Sequence, residues 1–120
     1  MKGHPPMEFS FDCVFYYVSD LERSIRFYRD VLGLELKSRD AVARFDINGV
    51  LFELVPAPQM TKSPQSGNAR LCLRVEDVET TLLRLRAKGV ATTSAQAKTN
   101  GVLGSFLDPD GNEVCLWQYR

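Results

Sequence analysis

An α+β fold of two tandem βαβββ modules is predicted for this 120-residue chain by three observations. Val18-Ser-Asp20-Leu-Glu22 returns as Val75-Glu-Asp77-Val-Glu79, and each opens a helix-like stretch that stops at a glycine, Gly33 and Gly89. Asp46-Ile-Asn-Gly49, four residues before Glu53, returns as Asp108-Pro-Asp-Gly111, four residues before Cys115. Between the copies lies a stretch with Pro56, Pro58, Pro64 and Gly67 and few apolar residues, the composition of a linker. One domain therefore spans 1–120, with module 1 at about 9–56, the linker at about 57–68 and module 2 at about 69–120.

In the first copy, Phe11 to Val18 is aromatic and β-branched, which predicts a strand. Ser19-x-x-Glu22 has capping-box spacing, and Leu21, Ile25, Tyr28 and Leu32 recur at helical intervals until Gly33. Leu34 to Asp40, Val42 to Asn48 and Val50 to Val55 read as three strands, the last two joined by an Asn48-Gly49 hairpin turn. In the second copy, Ala69 to Val75 is the strand, and Asp77 caps a helix with Val78, Leu82 and Leu85 on one stripe. Strands are expected at Ala91 to Ala97 and Val102 to Leu107, before a turn at Asp108-Pro-Asp-Gly111 leads into Glu113 to Tyr119. Phe27 and Tyr28 are assigned to the core, and Arg23, Arg26 and Arg29 to a solvated helix face.

Composition excludes several classes of function. Fifteen basic and fifteen acidic side chains leave no net charge, so no basic field points to nucleic acid or an anionic membrane surface. No apolar run is long enough to span a bilayer, and Met1-Lys-Gly-His4-Pro-Pro6 lacks the apolar segment of a signal peptide. A cytoplasmic location is the expectation. Cys13, Cys72 and Cys115 are odd in number and lack CxxC spacing, which suits reduced packing residues better than disulfides.

The tandem repeat, together with VSDLERSIRFYRDVLGL at 18–34 and FLDPDGNEVCL at 106–116, resembles the vicinal oxygen chelate superfamily of glyoxalases, bleomycin-resistance proteins and extradiol dioxygenases. The likeness runs from about Phe11 to Tyr119. It implies a curved mixed sheet around a ligand cavity, a homodimer, and in many members a first module that faces the partner's second. In metal-dependent relatives, the first and last strands of each module supply histidine and glutamate ligands. Seven residues before each capping aspartate stand Cys13 and Arg70, and four residues after each hairpin glycine stand Glu53 and Cys115. The family's His/Glu/His/Glu set is thus replaced by Cys/Glu/Arg/Cys. An arginine has no lone pair for a cation and stays protonated, so Arg70 opposes the usual metal. His4, in a proline-bounded leader, has no sequence-based reason to enter the cavity.

Strand alternation extends the set. Phe15 and Tyr17 share a face with Cys13, Arg74 shares one with Arg70, and Trp117 shares one with Cys115. The expected ligand-binding residues are therefore Arg70, Glu53, Tyr17, Trp117, Cys13, Cys115, Phe15 and Arg74, with no catalytic residue assigned. Arginine and aromatic side chains in one pocket suit a small, flat, anionic molecule, bound or sequestered without a metal or other cofactor. Arg70 and Glu53 also suit an internal ion pair. The alternative is a glyoxalase-like lyase or dioxygenase-like enzyme with an atypical site, in which Cys13, Glu53 and Cys115 hold a divalent metal such as zinc. The first reading leans away from an enzyme.

Overall fold

The computed structural model describes residues 7–57 and 69–120. The expected linker, apart from Ala57, and the leader carrying His4 lie outside the described residues. Module 1 runs β1 (Cys13–Val18), α1 (Leu21–Ile25) continuing into a π-helical turn (Arg26–Val31), β2 (Glu35–Arg39), β3 (Ala43–Ile47) and β4 (Val50–Pro56). Module 2 runs β5 (Leu71–Arg74), α2 (Val78–Ala87), β6 (Gln96–Lys98), β7 (Gly101–Leu107) and β8 (Glu113–Tyr119). The sheets are ordered β1-β4-β3-β2 and β5-β8-β7-β6. In each, the first strand pairs in parallel with the last and the remaining pairs are antiparallel. The sequence repeat is thus a repeat of topology.

Local chemistry sets the boundaries. Asp77 caps α2 by accepting from the Thr80 amide at 2.9 Å, as its position predicts. Asp20 caps α1 as expected of the capping aspartate, accepting the Arg23 amide at 3.1 Å, whereas Ser19, despite its capping-box spacing, donates its hydroxyl to Asp110 of module 2 at 2.5 Å. The single helix expected up to Gly33 widens halfway, where the Leu32 amide reaches back five residues to the Phe27 carbonyl at 3.1 Å. Adjacent Phe27 and Tyr28 are both buried on this segment. Asn48 and Gly49 both take positive φ, 54° and 88°, the geometry of a tight hairpin turn. The strand expected at Ala91 to Ala97 shrinks to β6. Upstream of it, Thr93 is engaged with Ser105 through both backbone and hydroxyl, leaving an isolated bridge from Thr92 to Phe106.

Both sheets contribute to one apolar core. Tyr16, Val18, Phe45, Phe52 and Leu54 enter it from the first sheet, and Leu71, Phe106, Val114 and Leu116 from the second. Gly104 lets α2 lie close to β7, since a β-carbon there would sit 2.8 Å from Val78 and 3.0 Å from Leu82. Tyr16 fastens the modules: its hydroxyl accepts from the Leu71 amide at 2.7 Å and donates to the Glu113 carbonyl at 2.8 Å. No helix among the described residues is long and apolar enough to cross a membrane.

Candidate functional site

Because alternate residues face opposite sides of a strand, the face of each sheet that is not in the core points outward. On the first sheet that face carries Cys13, Phe15, Tyr17 and Glu53, with Phe15 in register with Glu53 across the β1–β4 pair. On the second it carries Cys72, Arg74, Cys115, Trp117 and Tyr119, with Arg70 just before β5. Phe15, Tyr17 and Tyr119 remain 45%, 51% and 61% exposed, so neither outer face is covered within one chain. The expected site residues are therefore divided between two outward faces.

On the first face, Phe15 and Tyr17 meet edge to face at 5.3 Å between ring centroids. Glu53 lies 3.6 Å from the Arg44 guanidinium, its in-register neighbour on β3. On the second face, Arg70 Nε donates to Glu113 Oε1 at 2.7 Å. The Arg74 guanidinium carbon sits 5.2 Å from the centre of the Tyr119 ring, within cation–π range. Tyr119 in turn meets Trp117 edge to face at 5.8 Å. The indole rests over Gly101, where a β-carbon would collide with the ring and with the Gln118 carbonyl.

The ion pair considered between Arg70 and Glu53 is thus not the one formed within the chain: Arg70 pairs with Glu113, and Glu53 with Arg44. Reading the Asn48-Gly49 hairpin outward, residue by residue, puts Arg44 opposite Glu53. That pairing is legible in the sequence from the hairpin register alone. The trio Cys13, Glu53 and Cys115 is not gathered, and no group of three His, Cys, Asp or Glu side chains among the described residues is placed to hold a metal ion.

The surroundings of all three thiols favour the protonated form. Burial, with the Glu53 and Asp12 carboxylates, pushes Cys13 above the ordinary value of 9.0. Burial and Glu113 push Cys115 the same way, against the opposing pull of Arg70. Burial also raises Cys72.

Residues 10–116 match the family model of the Glyoxalase/Bleomycin resistance protein/Dioxygenase superfamily. The chain belongs to this superfamily. It is 34% identical over 104 residues to a glutathione transferase, FosA, of Serratia marcescens, a match covering 82% of this chain and 73% of that protein. It is 27% identical to TnmS3, an antibiotic binding protein from Streptomyces sp. CB03234, with a TM-score of 0.72 over 96% of this chain and 100% of that one. The fosfomycin resistance protein FosX of Listeria monocytogenes shares the fold at a TM-score of 0.76 and 18% identity, over 95% of this chain and 96% of that one.

Metal-dependent members of the superfamily hold a divalent ion with histidine and glutamate side chains. The donor chemistry at the corresponding positions here does not fit one. A guanidinium replaces an imidazole at Arg70, another guanidinium already faces the one carboxylate of the set, Glu53, and the two remaining donors are thiols held toward the protonated form. A divalent ion would have to displace Arg44, deprotonate a thiol and tolerate Arg70 nearby.

Proposed function

We propose that this protein binds a small organic anion and holds it without transforming it, in a cavity closed by a second copy of the chain. The observation that carries this reading is the set of guanidinium groups on the outer faces. Arg74 lies against the aromatic pair Trp117 and Tyr119, Arg70 stands at the other end of β8 beside Glu113, and Arg44 stands beside Glu53. Arg70 and Arg74 would meet the anionic group, while Trp117, Tyr17 and Phe15 offer ring faces to a flat scaffold. Cys13, Cys115 and Glu53 would form the wall between them. Because the two half-sites turn outward from one core, a shared cavity requires the first sheet of one copy to face the second sheet of another. The likeness to an antibiotic binding protein supports binding as the role.

The identity to FosA favours a second reading, a metal-dependent transferase with an atypical ligand set. Two measurements on the purified protein separate them. Native mass spectrometry should reveal a dimer carrying an organic adduct, or accepting one from a panel of aromatic carboxylates, and Arg70→Ala should weaken it about tenfold. Stoichiometric transition metal by elemental analysis, with glutathione transfer to fosfomycin that depends on that metal, would establish the transferase instead.

A further inference from the structure

A cavity of about 430 Å³ lies between the two modules, lined in part by core-side residues of the second sheet and meeting the outer face at Arg74. Its floor is apolar, with Val31 from the π-helical turn, Leu85 from α2 and Phe106 from β7. Arg84 and Lys88 from the end of α2, and Arg74 from β5, complete the lining. No Asp or Glu lines it; Glu76 belongs to the adjoining shallow depression.

The cavity is partly open to solvent, with Arg84 and Lys88 exposed at its edge. It falls within the range of small-molecule sites, which combine apolar walls with a few convergent polar groups. Cations at the end of a helix are favoured by its dipole, which accounts for either Arg84 or Lys88 alone. Their pairing is less simple. Residues four apart on a helix are neighbours, like charges there repel, and neither side chain is in an ion pair among the described residues. Leu85, between them in sequence, is buried against the cavity. The result is a partly open chamber with an apolar floor and three cations, Arg74, Arg84 and Lys88, that form no ion pair among the described residues.

We infer that this chamber is a binding site for an aliphatic monocarboxylate. The carboxylate lies between Arg84 and Lys88, and the tail lies against Leu85, Phe106 and Val31. The site abuts the one proposed above at Arg74 but is built on Arg84, Lys88 and α2, and it does not rest on that reading.

Octanoate is the probe, titrated into the isotope-labelled full chain and followed by amide NMR, with 1-octanol as the uncharged control. Saturable shifts are expected at the amides of Val31, Leu85 and Phe106. Octanol should bind at least about tenfold more weakly, and the double variant Arg84→Gln/Lys88→Gln should lose about tenfold for octanoate but little for octanol. Thr81→Trp, one turn earlier on α2 and also lining the cavity, should block both ligands. Arg70→Ala should leave octanoate affinity unchanged. The inference is overturned if octanoate shows no saturable binding, if its shifts centre on Phe15 or Trp117, or if the double variant binds it as tightly as the parent protein.

Discussion

The Tyr28 hydroxyl donates a 2.8 Å hydrogen bond to Asp108 across the boundary between the modules. Asp108 is buried and accepts from four donors: Tyr28 and the Asn112 side chain on Oδ2, and the amides of Asp110 and Asn112 on Oδ1. The Asp-Pro-Asp-Gly turn is thus anchored on the helix of the other module. Tyr28→Phe removes one donor to a buried carboxylate and should lower stability by about 1–3 kcal/mol, read as a lower urea midpoint with unchanged slope. An unchanged midpoint would mean that Asn112 alone suffices.

The same carboxylate sets a pH dependence. Burial outweighs its hydrogen bonds and raises Asp108 above the ordinary 3.8. The folded state then binds this proton more tightly than the unfolded chain does. The group's contribution to stability is full below about 3.8 and is lost as pH rises through its folded value. The stability of the parent protein minus that of Asp108→Asn should therefore fall as pH rises from 3 to 7, measured by urea unfolding at each pH. A difference that grows over that range would place the carboxyl below its ordinary value and reverse the assignment.

All three thiols are pushed above 9.0, Cys115 even with Arg70 nearby. Because the thiolate is the reactive form, iodoacetamide labelling at pH 7 should be slow at every cysteine and should accelerate only above about pH 9. Peptide mass spectrometry resolves the sites. Rapid labelling of Cys13 or Cys115 at neutral pH would reopen a nucleophilic role.

The module plan was legible because period-two and helical patterns, capping aspartates and turn glycines all repeat in order. Strand alternation also separated core from outer face correctly, as buried Phe52 and Leu54 beside the half-buried Glu53 illustrate. What alternation cannot give is which faces of different sheets meet. Glu53 and Cys115 occupy equivalent positions in their modules, yet a shared core turns them outward separately. Nor does periodicity reveal the extra residue of the π-helical turn, because Ile25, Tyr28 and Leu32 fit an ordinary helix as well.

Gly101 is a position whose role appears only in three dimensions. Its missing side chain leaves room for the Trp117 indole, and both backbone and ring would obstruct a methyl group. Gly101→Ala should displace the indole, shift the fluorescence of the single tryptophan and lower stability by about 1–3 kcal/mol, the usual cost of overpacking. If Trp117 stacks on the ligand as proposed, the variant should also bind the probe anion more weakly than its lost stability explains. Unaltered fluorescence would show that the ring has no fixed seat there.

The two ion pairs on the outer faces make the sharpest electrostatic test. Arg44–Glu53 at 3.6 Å and Arg70–Glu113 at 2.7 Å are partly exposed, so each should couple by only about 0–1 kcal/mol in a double-mutant cycle. Arg70 and Glu53 lie on different modules and have other partners, so Arg70→Ala and Glu53→Ala should add within about 0.5 kcal/mol in the isolated chain. In a dimer that brings the two outer faces together, however, Arg70 of one copy approaches Glu53 of the other. Additivity at low protein concentration, giving way to coupling as the dimer forms, would therefore identify the facing arrangement. Additivity at every concentration across a dimerisation measured by analytical ultracentrifugation would mean that the copies join by other surfaces, and the shared cavity would have to be abandoned.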